Sequence, residues 1–279
     1  MKSKLLIFFT FLVFIGKLSI AQTYTTGTFN IRLDTETDKE NQWKNRAAVV
    51  SQLIEFHDFD ILGTQEGFHH QLQDILKALP QYAIYGKGRD DGKQAGEHSA
   101  ILYKKDKFEL LAQGDFWLSE TPETPSLGWD AKCCKRICSW VYLKDKKTKK
   151  SFYFFNAHYD HQGVTARKES SKLILERIKA IAKDKPVIFT GDLNGNHSSD
   201  PYLIITDSDI LKDTYKQVKQ PYALSNSFNG FGAQLKGNSI IDHVFVSKHF
   251  KTYRWGLLTD SYQGKYPSDH FPVLVEVGF

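Results

Sequence analysis

The stretch "VIFTGDLNGN", residues 187–196, begins as a buried strand and ends as a polar turn. Val187, Ile188 and Phe189 are apolar and strand-prone, and Asp192 and Asn194 then follow among glycines. A turn explains those residues, because Asp, Asn and Gly are the commonest turn formers. An active site on the rim of a sheet explains them equally well. The rest of the chain has to decide.

Working outward, strands and helices interleave. "TTGTFNI" (25–31) predicts a first strand. "KNRAAVVSQLIEFH" (44–57) places Ala47, Val50, Leu53 and Ile54 at helical spacing, and "FDILGTQ" (59–65) predicts a return strand. "HHQLQDILKALP" (69–80) puts Leu72, Ile75, Leu76 and Leu79 on one helical face, stopped by Pro80. "HSAILYKKDKFELLAQGDFWL" (98–118) predicts a hairpin, as does the segment from Ile137 to Ala157, with the lysine-rich 144–151 as its solvated loop. A helix is expected around Ile174, Ile178 and Ile181, and late strands at "SIIDHVFVS" (239–247) and "PVLVEVGF" (272–279). Strand-rich runs with scattered helices point to an α/β (α+β) chain with mixed sheets covered by helices.

The N-terminus stands apart. Lys2 and Lys4 precede an apolar run, Leu5 to Ile15, that is too short to span a bilayer, and Ser19 and Ala21 supply small residues before a cut. The expectation is a signal peptide over residues 1–21, one catalytic domain over 22–279, and a secreted or periplasmic protein. Removing Lys2, Lys4 and Lys17 from 37 basic residues leaves 34 against 32 acidic ones, a net charge of +2. That balance makes no global case for nucleic acid, which prefers a basic face. Cys133, Cys134 and Cys138 cluster within six positions. An exported chain permits a local disulfide there, and the odd count leaves one thiol over. No nearby histidine offers finger-like zinc spacing.

Polar residues recur at strand ends. Asn30 closes the first strand and Glu66 follows the second. Asn156 and His158 end "FYFFNAH", with Asp160 and His161 beyond, while "YPSDHFPV" supplies Asp269 and His270. Asp242 and His243 sit in "SIIDHVFVS"; strand alternation turns His243 away from Asp242 and makes it non-catalytic. These types suit metal-assisted phosphoester chemistry. A hard cation such as Mg²⁺, with Mn²⁺ or Ca²⁺ as substitutes, takes a carboxylate or two plus water and phosphate, which Glu66 and Asp269 could offer. An attacking water needs a base, and an Asp242–His270 pair would hold one in place. Charge developing on phosphorus calls for donors such as Asn30, Asn194, His158 and Arg136.

"TFNIR", "TQEG", "NAHYD", "TGDLNGN", "IIDHVFVS" and "YPSDHFPV" resemble, in order, the motifs of the endonuclease/exonuclease/phosphatase superfamily of deoxyribonuclease-like metal-dependent phosphohydrolases. The likeness covers nearly all of the chain after the signal segment. "GRDDG", "GEHSAILY", "FWLSETP" and "RICSW" further resemble a secreted bacterial subgroup. The resemblance implies a four-layer αββα sandwich of two mixed sheets packed face to face. It implies Glu66, Asn30 and Asp269 at the metal, whether one ion or two. It implies Asp192 orienting the attacking water, Asn194 holding the scissile phosphate, and Asp242 with His270 as the acid–histidine pair. His158 and Arg136 would contact phosphate, and Glu97 would support His158.

Other polar and aromatic residues carry blander readings. Asp160 and His161 are rim residues or a helix cap, and Arg167 is a surface arginine. Trp117, Trp129 and Trp140 are core or loop anchors, and Phe231 is the expected exposed aromatic. The function expected is an exported phosphoester hydrolase, phosphodiesterase or phosphatase, acting as a monomer with no obligate protein partner. Its substrate would be a phosphorylated small molecule, a phospholipid headgroup or nucleic acid. A secreted nuclease is the nearest alternative. A non-catalytic phosphate-binding protein on the same fold would be expected to lack Glu66, Asp192, Asp242 or His270, and all four are present. A hydrolase of some non-phosphate bond in a glycan or lipid is a third.

Overall fold

The computed structural model describes residues 22–222 and 225–279, so the expected signal segment 1–21 lies outside the described residues. The first part of the chain runs β1 (Thr23–Asn30), α1 (Trp43–Phe56), β2 (Ile61–Gln65), α2 (His69–Ala78), β3 (Tyr82–Tyr85) and β4 (Ile101–Lys104). The middle continues with β5 (Phe108–Trp117), β6 (Ile137–Asp145), β7 (Ser151–His158), α3 (Val164–Ala182) and β8 (Val187–Asp192). Then come α4 (Asp200–Thr206), β9 (Lys212–Asp213), α5 (Thr214–Gln217), β10 (Asp242–Val246), β11 (Lys251–Leu257) and β12 (Val273–Gly278).

Two six-stranded mixed sheets result, ordered β11-β12-β1-β2-β4-β3 and β5-β6-β7-β8-β10-β9. Each holds one parallel pair at its centre: β1 with β2, joined through α1, and β7 with β8, joined through α3. A parallel pair needs such a crossover, and it leaves both carboxyl ends at the same edge. Asn30 pairs with Gln65 and His158 with Asp192, so the rim residues of each sheet come out level.

Alternation along the strands builds the layers. Phe152 and Phe154 of β7 and Ile188 of β8 face inward, meeting Tyr24, Ile61, Val273 and Val275 of the other sheet. Phe155 and Phe189 face outward against Ile174, Ile178 and Tyr202 of the covering helices. Phe29 and Leu62 do the same on the far side, against Val50, Ile54, Leu72 and Ile75. A strand covered on both faces has no polar side, which is why "VIF" reads as an unbroken apolar run. The αββα sandwich is therefore present, with the helices outside as the resemblance implied.

Toward the rim, the space between the sheets turns polar. Asn156 is fully buried and donates to the carbonyls of Thr64 and Ala100 in the opposite sheet, while its oxygen accepts from Gln65 and Thr190. Asn156 is thus a clamp between sheets rather than a rim residue. It fits because Gly63 has no side chain: a Cβ there would run into both Asn156 and Thr190.

One segment departs from its expected form. Residues 98–118 do not fold as a hairpin, since β4 pairs with β2 and β3 while β5 pairs with β6 in the other sheet. The turn between them is short enough for a hairpin, but here it carries the chain across the sandwich. Strands β3 and β11 had no sequence expectation, and both lie at sheet edges. Phe231 is half-buried, with the Arg46 guanidinium over its ring, and the most exposed aromatic among the described residues is instead Phe56, 81 % exposed.

Candidate active site

The two level rims face each other across a cavity of about 440 Å³. Its lining includes Glu66, Glu97, Arg136, His158, Asp192, Asn194, Asp269 and His270. Asn30 and Asp242 lie just beneath, bonded to that lining. The strand-end residues thus converge, although they come from both sheets and from distant parts of the chain.

Asp192, the last residue of β8, is the hub. Its Oδ1 accepts from the backbone N–H of Asn194 at 2.9 Å, and its Oδ2 from the Asn30 amide at 3.2 Å. His158 Nε2 and His270 Nε2 stand 3.6 and 3.8 Å from that same oxygen. Burial, with Asp242's charge added, pushes the Asp192 carboxyl up to about 7 against the pull of His270. Asn194 adopts a left-handed backbone at φ 46°, which bends the chain so that its own amide reaches back over the rim.

His270 and His158 are opposites. His270 Nδ1 meets Asp242 Oδ2 at 2.9 Å. Burial alone would lower it, but Asp242, Asp192 and Asp269 outweigh that and hold its proton well above the usual histidine range. His158 is pushed well below that range, first by burial and then by Arg136 and Arg89. The Asn194 amide lies 3.2 Å from His158 Nε2 and also donates to the Tyr159 carbonyl at 3.0 Å. An amide nitrogen carries only protons, so the imidazole accepts at Nε2 and holds its own proton on Nδ1.

Glu66 and Asp269 form the acidic end. Glu66 sits one residue past β2 at φ 66°, another left-handed position. Its carboxylate accepts from the Asn30 amide at 2.9 Å and from the Leu33 N–H at 3.2 Å. Arg32 lies 3.9 Å from Glu66 and 3.7 Å from Asp269. Burial, and secondarily Glu66, push Asp269 up to about 6 even though His270, Arg32 and Arg46 oppose the shift. The half-buried Glu66 and the buried Asp269 fit a hard divalent cation, whose oxygen preference their donor set meets. The Asn30 oxygen accepts from the Arg32 N–H at 3.0 Å, and its nitrogen points at the carboxylates. In this arrangement the Asn30 amide nitrogen orders Glu66 and Asp192. A second group, Asp192, Asp242 and His270, also brings its ligand atoms within 4.8 Å of one another.

The opposite end is cationic. Arg136 donates to His161 at 2.9 Å and lies 3.5 Å from Asp160, yet its buried Nε and Nη1 have no hydrogen-bond partner. Glu97 engages Arg89 through both oxygens, at 2.7 and 2.6 Å, and stands 3.8 Å from His158 Nδ1. Glu97 therefore pairs with an arginine before it supports the histidine; burial still lifts its carboxyl to about 7. Arg89 and Arg32 had no assigned role in the sequence reading, although "GRDDG" and "TFNIR" contained them. Asp160 caps the following loop through the N–H groups of Gln162 and Gly163, and Arg167 donates to its carbonyl. His243 turns away as expected: it is buried, bonded to the Gly195 carbonyl, and outside the cavity lining. Trp117 is a buried anchor whose indole donates to the Arg89 carbonyl at 2.7 Å, which fixes the arginine's loop.

Residues 27–270 match the model of the Endonuclease/Exonuclease/phosphatase family, and the chain belongs to that family. Members of this family are hydrolases of phosphoester bonds that depend on divalent metal, and their substrates include phosphorylated sugars and nucleic acid. A family protein of Bacteroides thetaiotaomicron superposes with a TM-score of 0.90 at 45% identity, over 93% of this chain and 98% of that one. The mannosyl-6-phosphatase of the same bacterium gives a TM-score of 0.89 at 45% identity, over 92% of this chain and all 100% of that one. An uncharacterized protein of Acanthamoeba polyphaga mimivirus is 28% identical, covering 84% of this chain and 91% of its own length.

Proposed function

We propose that the chain is an exported, Mg²⁺-dependent phosphatase that hydrolyses the phosphate monoester of a sugar. The observation that carries hydrolysis is the convergence on Asp192, a buried carboxyl poised near neutrality between a protonated and a neutral histidine. A base works best when its pKa lies near the working pH. Asp192 takes the proton of the attacking water. His270, held by Asp242, keeps its proton and donates through Nε2 to a phosphoryl oxygen, rather than sharing the work of deprotonation. Asn194 and Arg136 hold the remaining oxygens, and neutral His158 positions the Asn194 amide. Glu66 and Asp269 would hold the Mg²⁺, which when bound supplies positive charge to the phosphate.

Two features favour a monoester. The buried Nη1 of Arg136 has no partner, while Nε has the Asp160 carboxylate 3.5 Å away; an unpaired guanidinium N–H is costly until an anion meets it, and a terminal phosphate carries more charge than a diester. The site is also a cavity of modest volume in a near-neutral chain, not a basic groove, and the similar mannosyl-6-phosphatase supports a sugar as the alcohol. Phosphate release should be measured from mannose 6-phosphate, bis-p-nitrophenyl phosphate and plasmid DNA, with Mg²⁺ and with chelator. The proposal requires metal-dependent release from the monoester in excess of both diesters. Equal or faster cleavage of DNA would replace it with the nuclease reading.

A further inference from the structure

The three cysteines resolve in an unusual way: Cys133 and Cys134, neighbours in sequence, form a disulfide, and Cys138 is free and buried. Disulfides generally stabilise by closing a loop of chain in the unfolded state, and the gain grows with loop length. A link between adjacent residues closes no loop, so that benefit is essentially absent. Its reason must be local, and its surroundings are the cavity. Cys134 is one of the cavity's lining residues, and Arg136, two positions on, is another.

The segment is pinned on both sides of the pair. Asp130 caps the start of α3 through the N–H groups of Thr165 and Ala166, and Lys135 donates to the Asp90 carbonyl at 2.7 Å. Cys133 is exposed and Cys134 half-buried, so the sulfurs sit at the mouth. Around them the lining is charged or polar: Arg89, Glu97, Arg136, His158 and His161. The apolar residues Leu33, Phe228 and Ile241 belong to the other end, where the Phe228 ring rests 5.1 Å from that of His270. A disulfide carries no N–H or O–H and presents soft, polarizable sulfur and C–H surface. It is the apolar spot beside Arg89 and Arg136, whereas water is activated at Asp192 and His270. In-line displacement puts the departing alcohol opposite the attacking water.

We propose that the Cys133–Cys134 disulfide is a substrate-contacting wall of the leaving-group subsite, packing against the C–H face of a ring-bearing alcohol such as a hexose. The proposal rests on the phosphatase reading above. It makes the disulfide a specificity determinant, acting on the alcohol and not on the phosphate.

The test uses the whole protein with Mg²⁺, in three forms: oxidised wild type, wild type reduced with a phosphine, and the double variant Cys133→Ser/Cys134→Ser. Each is assayed on mannose 6-phosphate and on methyl phosphate, which has no ring to meet the wall. The expected result is a specificity ratio, kcat/KM for the sugar ester over that for methyl phosphate, that falls about tenfold on reduction and in the variant. The loss should appear in KM for the sugar ester, with kcat and melting temperature held. Equal losses on both esters would overturn the proposal, because the disulfide would then be shaping the phosphate site through Arg136. Three titratable thiols in the unfolded, unreduced protein would overturn it as well. Wild type that releases phosphate from neither ester would fail earlier, taking the phosphatase reading with it. Wild type active on both with an unchanged ratio would remove the wall alone.

Discussion

At the scale of single residues, burial sets the chemistry. Asp192, Asp269 and Glu97 are ordinary acids whose carboxyls rise to about 7, 6 and 7 because the sandwich removes water from them. Replacing Asp192 with Asn keeps the shape and the hydrogen bond to Asn194 but removes the base. We expect kcat to drop by roughly 10²–10⁴-fold with KM little changed, as steady-state kinetics would show. An unaltered kcat would remove Asp192 from the chemistry. His243 offers a test outside catalysis. Burial pushes its pKa down from 6.5 to about 4, so the unfolded chain takes up a proton at a pH where the folded one does not. Its contribution to stability is complete above pH 6.5 and is lost as the pH falls toward 4, to the extent of roughly 3 kcal/mol. Denaturant titrations of wild type and His243→Gln across that window should differ in slope, the variant being the flatter. The identities of these residues were legible in the sequence, but their protonation was not, because a pKa depends on neighbours that only folding supplies.

At the scale of elements, the parallel pairs β1/β2 and β7/β8 place the site. Helices α1 and α3 were readable from their apolar spacing, and so were the strands they connect. The mistaken hairpin at residues 98–118 shows the limit: alternation identifies a strand and its buried face, but not the strand it will pair with. Edge strands β3 and β11 were harder to see because one side lacks a partner and the apolar pattern is diluted, as the mixed burial of both shows. The two sheets approach closely at Gly63, beneath Asn156 and Thr190. Gly63→Ala should cost about 1–3 kcal/mol, read as a lower urea midpoint, because the added methyl overpacks a close approach. Activity should fall with it, since Asn156 holds together the sheets that carry Glu66 and Asp192. A fully active, fully stable variant would mean that the sheets can separate without consequence for the site.

At the scale of the whole molecule, the two sheets bring an acidic end and a cationic end to one cavity. The acidic end, Glu66 with Asp269, is where a divalent cation fits. Chelation should abolish turnover, and added Mg²⁺ should restore it; a second expectation is that Glu66→Gln weakens Mg²⁺ binding measured by calorimetry while the melting temperature without metal is kept. Turnover that survives exhaustive chelation would contradict both. Among the described residues no helix is long and apolar enough to cross a membrane. Export remains part of the proposed function, and the test is whether the periplasmic or culture fraction of a producing cell holds the chain starting at Gln22.

The amino-acid order alone determined the family, the alternation of strands and helices, and the polar residues that would cap the strands. Those features are local: hydrophobic period, turn chemistry and short motifs survive without a tertiary partner. Only the folded molecule decided that Asn156 clamps the sheets, that Asn30 orders carboxylates, and that Glu97 answers first to Arg89. It alone placed the Cys133–Cys134 pair at the mouth of the site. The reason is physical: these roles depend on burial and on contacts between residues far apart in the chain, and both arise when the two sheets close face to face.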